Sequence, residues 1–173
     1  MTDDQRARLL EAALPSRVSN VTVDASLAEV ASQSSHPVIQ AAGLAHQAYG
    51  DLLSLECGRA ESLLRAATRM IADSKSTDYP ILRWFAYHAL ADCLDERGLF
   101  DEALEQLEEA LDIANEFHLV AQWGRSCAGL VFLQRRLGNG ARAAEAVELL
   151  LTSEATRDRS TPPIDRVRPV PLA

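Results

Sequence analysis

Residues 81–116 read ILRWFAYHALADCLDERGLFDEALEQLEEALDIANE, and this stretch decides the fold. On both sides of Gly98, apolar residues recur at steps of three and four, which is the spacing of one face of an α-helix. The residues that carry the pattern are Trp84, Tyr87, Ala91 and Leu94, then Phe100, Ala103, Leu107, Ala110 and Ile113. The stretch therefore predicts two amphipathic helices joined by a short turn.

The junction between these helices has its own sequence signal. Gly98 can adopt the left-handed backbone conformation that commonly ends a helix. Asp101 and Glu102 follow it and place negative charge at the positive dipole end of the next helix.

The pattern returns forty residues away in both directions, faithfully downstream and more weakly upstream. The glycines Gly58, Gly98 and Gly138 are forty residues apart, and an internal period of this length is typical of repeat architectures. We predict three helix pairs, with Pro37 and Pro80 in first turns, where a missing N–H costs little. Their ranges are 37–73, 80–117 and 119–151.

Outside the repeats, the sequence predicts an N-terminal cap and a C-terminal tail. A helix over 3–14 is expected to end at Pro15, and a shorter one over 24–33 to begin with Asp24 as its N-cap. These two helices cap the repeats or form a degenerate pair. Residues 153–173 are rich in Pro, Arg, Ser and Thr and predict a flexible tail. The expected division is thus 1–36, 37–152 and 153–173.

Composition and charge narrow the function. The chain is 47% hydrophobic but only 5% aromatic, which suits helices packed through Ala, Leu and Val. Its net charge of -8 argues against nucleic-acid binding, which depends on clustered Lys and Arg. From Asp92 to Glu116 there are ten carboxylates against the single base Arg97, a run most typical of a solvated helix face.

The sequence contains no membrane-targeting signal, and the spacing of its cysteines indicates no pairing. Residues 1–14 carry acids and arginines where a signal peptide needs an apolar core, and no apolar run has the length of a membrane span. Cys57, Cys93 and Cys127 lie far apart and are interpreted as small buried hydrophobic residues. We expect a cytoplasmic protein. Lys75 is the only lysine beside sixteen arginines, a composition typical of bacteria with GC-rich genomes.

Catalytic and cofactor motifs are missing from the sequence. The four histidines form no i, i+4 metal pair, and neither a phosphate-binding glycine loop nor a nucleophile motif occurs. Carboxylates one helical turn apart, such as Glu108 and Asp112, are most often surface charge. We expect no enzyme activity, cofactor or metal.

The middle pair resembles the tetratricopeptide repeat family. The matching residues are Leu90, Ala91, Leu94, Gly98, Phe100, Ala103, Leu107 and Ala110. The forty-residue period is similar to that of repeats in large bacterial regulators and signalling proteins. The resemblance implies an all-α, right-handed superhelix of antiparallel helix pairs, in which small residues such as Ala103 let helices approach closely. It also implies a concave groove, lined by the first helix of each pair, that receives a partner peptide or helix.

Positions carried over from the family give a candidate partner-binding groove that grades from acidic to basic and aromatic. Its residues are Phe85, His88, Asp92, Asp95, Arg125, Phe132, Arg135 and Arg136. An aromatic flanked by arginines is enriched at interface hot spots, and it favours an acidic segment as the partner. The alternative interpretation is that the arginines are structural counterions to the acidic repeat, and both interpretations stay open here.

Three further interpretations stay open as well. A dedicated secretion-type chaperone has a similar size and architecture, and so does a regulatory sensor of a peptide or small ligand. The architecture also allows a homodimer. The principal expectation is a non-enzymatic adaptor that binds another protein.

Overall fold

The computed structural model describes residues 1–14 and 25–155, and throughout these ranges the regular structure is α-helix with no strand. The eight helices of these two ranges are α1 (Asp3–Ala12), α2 (Ala25–Ser32), α3 (Pro37–Leu53), α4 (Cys57–Ser74), α5 (Pro80–Glu96), α6 (Phe100–Glu116), α7 (Val120–Arg136) and α8 (Gly140–Ala155). The all-α prediction is confirmed.

The predicted start and turn signals act where the sequence places them. Pro37 and Pro80 are the first residues of α3 and α5. Gly98 and Gly138 have φ angles of 75° and 76°, so each adopts the left-handed conformation that reverses the chain between two helices. The acids Asp101 and Glu102 lie in the first turn of α6.

The forty-residue match predicts that Gly58 lies in the turn between the two helices of the first pair, and this prediction is wrong. It lies inside α4, and the turn before that helix is made by Leu55, which has a φ of 62°. The reason is spacing: α3 begins at Pro37 and α5 at Pro80, 43 residues apart, whereas α5 and α7 begin at Pro80 and Val120, forty apart. A leucine in the left-handed region costs roughly 1 kcal/mol, so sequence alone favours the nearby glycine.

Each helix from α2 to α7 packs against the helix that follows it in the chain. Helix α5 also contacts α3 and α7. Helices α1 and α2 pack on α3. Close approach depends on small residues, since Ala91, Ala103 and Ala110 are all buried. Helix α5 is the centre of this arrangement, because α3, α4, α6 and α7 all contact it.

Part of the acidic run is paired across helices. Arg65 of α4 pairs with Glu61, at 2.7 Å, and with Glu102 of α6. Arg97, at the end of α5, also pairs with Glu61. These ion pairs join α4, α5 and α6 on one side of the molecule.

The ends of the described ranges bear on several predictions. The predicted stop at Pro15 and the Asp24 N-cap lie outside the described residues. Helix α8 continues to Ala155, beyond the predicted end of the repeat, because no helix-breaking residue occurs before Pro162. Residues 156–173 of the predicted flexible tail lie outside the described residues. In the described ranges, no helix is both long and apolar enough to cross a membrane.

The cysteines are free thiols, of which Cys93 and Cys127 are buried and Cys57 is half-buried. Burial raises the pKa of the Cys93 thiol to about 11 and that of Cys127 to about 12. Both buried thiols are therefore protonated at neutral pH and contribute as small apolar groups, as predicted.

Candidate functional site

The last helix pair, α7 and α8, bears an open groove about 500 Å³ in volume with a mainly apolar lining. We call it the end groove. Its lining residues are Val131, Arg135, Gly140, Ala143, Ala144, Val147, Glu148 and Leu151.

Every residue of the end groove has a counterpart forty positions earlier in the preceding pair, because α5 and α6 begin forty residues before α7 and α8. The counterparts, in the same order, are Ala91, Asp95, Phe100, Ala103, Leu104, Leu107, Glu108 and Leu111. The end groove is therefore formed by the same face of the repeat unit, in the repeat that follows.

Burial differs sharply between the two faces. Leu107 and Leu111 are 1% and 5% exposed, whereas Val147 and Leu151 at the equivalent positions are 39% and 61% exposed. An apolar surface that is covered in one repeat is thus open in the next. Clustered exposed apolar groups of this kind are typical of interaction sites.

Helix α7 covers the earlier face. A Cβ atom on Gly129 of α7 would lie 3.2 Å from Cδ2 of Leu107, so the two helices meet closely at that point. Arg136 of α7 donates to the Asp95 carboxylate at 2.8 Å and to the Asp95 carbonyl at 3.2 Å. The Arg136 guanidinium also lies over the ring of Phe100, 5.7 Å from its centroid.

The charge of the face is partly reversed in the end groove. Arg135 stands where the covered face has Asp95, while Glu148 keeps the negative charge of Glu108. Burial is the largest cause that raises the pKa of Glu108, and the charges of neighbouring carboxylates raise it further. The end groove therefore combines an apolar floor with one cation and one anion.

Two of the predicted groove residues are core residues in the structure. Phe85 and His88 are buried, because five other helices contact α5. The Phe85 ring lies 4.9 Å from that of His46, and the His88 ring stacks on Trp84 at 4.7 Å between centroids. Neither side chain presents a surface to a partner in this arrangement.

Asp95 and two of the predicted arginines make contacts between α5 and α7. Asp92 is exposed and Asp95 is half-buried in its pair with Arg136. The Arg125 guanidinium lies 5.5 Å from the ring centroid of Trp84, and the indole N–H of Trp84 donates to the Ser126 hydroxyl at 2.9 Å. For Arg136, the contact with Asp95 matches the counterion interpretation.

Phe132 and Arg135 remain on the outer side of α7. Phe132 is 54% exposed, immediately after Val131 of the end groove, and Arg135 is itself a lining residue. The structure thus brings one of the eight predicted residues, Arg135, to the end groove. Val147, Glu148 and Leu151 were missed. For Val147 and Leu151 a signal was available, because a terminal repeat is expected to carry polar residues on its outer face and these two positions keep the apolar pattern.

The described residues contain no group of three or more His, Cys, Asp and Glu side chains that could hold a metal ion. Comparisons with protein-family models, curated proteins and solved structures found no match to this chain.

Proposed function

We propose that this chain is a non-enzymatic protein-interaction module of the cytoplasm that binds a partner peptide or helix through its last helix pair. In this proposal the helix pairs form a right-handed superhelix similar to tetratricopeptide repeats. One observation carries the proposal: Leu151 is 61% exposed, whereas its counterpart Leu111, forty residues earlier, is 5% exposed.

Physical chemistry supports a protein as the ligand of this face. Apolar area removed from water contributes roughly 25 cal/mol per Å², and the valine and leucine side chains of the end groove offer such area in one place. Phe132 is an exposed residue of α7 that follows Val131 in the sequence, and aromatic and arginine side chains are the groups that most often dominate binding energy at interfaces. The positive charge of Arg135 favours an acidic partner, in keeping with the sequence-based hypothesis.

The proposal is tested by affinity capture from the native host with the parent protein and two variants. Val147→Asp places a charge in the end groove and is expected to weaken binding of the captured partner at least about tenfold, or 1.4 kcal/mol. Leu53→Asp is the matched control, because Leu53 is equally an exposed apolar residue but lies at the end of α3. Equal recovery of the same partner by all three proteins would contradict the proposal.

Arg136 is unsuitable for such a test. Its guanidinium contacts Asp95 and Phe100 within the chain, so charge reversal there would alter the packing of α7 on α5 and α6.

A further inference from the structure

We propose that the end groove takes an α-helix of the partner protein in the way that the preceding face takes α7, and that this helix places a carboxylate against Arg135. The inference rests on the proposed function and specifies the chemistry of the partner. It depends on the one-to-one correspondence between the end groove and the face that α7 covers.

Helix α7, which covers the equivalent face of the preceding repeat, shows which contacts a helix bound in the end groove would make. Helix α7 is 17 residues long, brings Gly129 against Leu107, and ends with Arg136 paired to Asp95. A helix bound in the same way in the end groove would bring its own last turn to Arg135.

Charge complementarity determines which charge the last turn of the bound helix carries. On the covered face an arginine of the occupant meets an aspartate. In the end groove the aspartate is replaced by Arg135, so the occupant needs a carboxylate at the position equivalent to Arg136. Like charges placed opposite each other at an interface suppress the wrong partner.

Volume sets a second requirement. Three lining residues are smaller than their counterparts: Gly140 replaces Phe100, Ala144 replaces Leu104 and Val147 replaces Leu107. The end groove is therefore roomier than the covered face. An occupant that fills it needs an apolar side chain where α7 has Gly129, because unfilled space forfeits dispersion contacts.

Two other occupants fit less well. Helix α7 of a second copy would place Arg136 against Arg135, with like charges in contact. The sequence after Ala155 has prolines at 162, 163, 169 and 171, so it supplies no proline-free segment as long as α7. A partner protein with an acidic amphipathic helix satisfies both requirements.

The test uses two synthetic peptides with the sequence of residues 120–136, both carrying Gly129→Leu. One peptide keeps Arg136 and the other carries Arg136→Glu. Each is titrated by fluorescence anisotropy against the full chain and against its Arg135→Asp variant, which restores the carboxylate of the covered face. The parent protein is expected to bind the glutamate peptide at least about fivefold more tightly than the arginine peptide, and the variant is expected to reverse that order.

Reversal of the preference supports the inference. The same order of affinity for both proteins would overturn it, and so would the lack of saturable binding of either peptide up to about 1 mM, the range of the weakest specific complexes. Failure here is distinguishable from failure of the proposed function. If the natural partner is still lost on Val147→Asp, the end groove binds a protein but not a helix placed like α7.

Discussion

Replacement of Leu111 by alanine is expected to lower the free energy of unfolding by about 2–4 kcal/mol. Leu111 is buried in α6, and loss of three buried carbon atoms costs both transfer free energy and a cavity. The measurement is urea unfolding followed by circular dichroism at neutral pH.

The matched control is the same substitution at Leu151, forty residues later. Since Leu151 is exposed at the equivalent position of α8, its replacement is expected to change the free energy of unfolding by less than about 0.5 kcal/mol. Equal losses at the two positions would mean that the rest of the chain covers the end groove, and the groove would then be part of the core.

Acidification from pH 7 to pH 4.5 is expected to cost about 2–3 kcal/mol of stability through His46 alone. The ring is fully buried, and burial lowers its pKa from 6.5 to about 4. Its Nε2 donates to the Leu10 carbonyl at 3.0 Å, which links α3 to α1, and its Nδ1 has no hydrogen-bond partner among the described residues. The unfolded chain binds a proton near pH 6.5 and the folded chain only near pH 4, so stability is lost as the pH falls between these values.

The control for this pH dependence is His46→Gln, whose side-chain amide can donate to the Leu10 carbonyl but does not titrate. Urea unfolding of both proteins at the two pH values separates His46 from the carboxylates, which titrate in both. If the variant loses as much stability as the parent, His46 does not carry the effect.

Sequence reasoning predicted α5 to α8 well because one forty-residue period governs both pairs. The period located the ends of the helices at Pro80, Gly98 and Gly138, and the positive φ angles of the two glycines favour glycine at those turns. It failed for the first pair, where the spacing is 43 residues and Leu55 takes the turn that a glycine was expected to make. A left-handed leucine has no sequence signature, so this error could not be avoided.

The candidate site was predicted less well, for a reason of packing. Positions carried over from the family assume that one side of each first helix is open, but five other helices contact α5, so Phe85 and His88 are buried. Periodicity identifies an apolar face without stating which helix covers it. Periodicity alone therefore does not separate covered Leu111 from open Leu151, and only the place of Leu151 in the last repeat distinguishes them.

The roles of the charged residues were also beyond what the sequence alone predicts. The arginines of α7 look equivalent in the sequence, yet Arg136 pairs with Asp95 while its neighbour Arg135 lines the end groove. Adjacent residues of a helix point about 100° apart, and this angle decides which of the two is a counterion and which faces a ligand.

The most direct test of the central claim, that the last helix pair is the partner-binding site, is site-specific photo-cross-linking in the native host. A photoreactive amino acid replaces Val147 in one protein and Leu53 in another, both exposed apolar positions on different helix pairs. The account predicts a cross-linked adduct from position 147 and none from position 53. An adduct formed from position 53 and not from position 147 would contradict it.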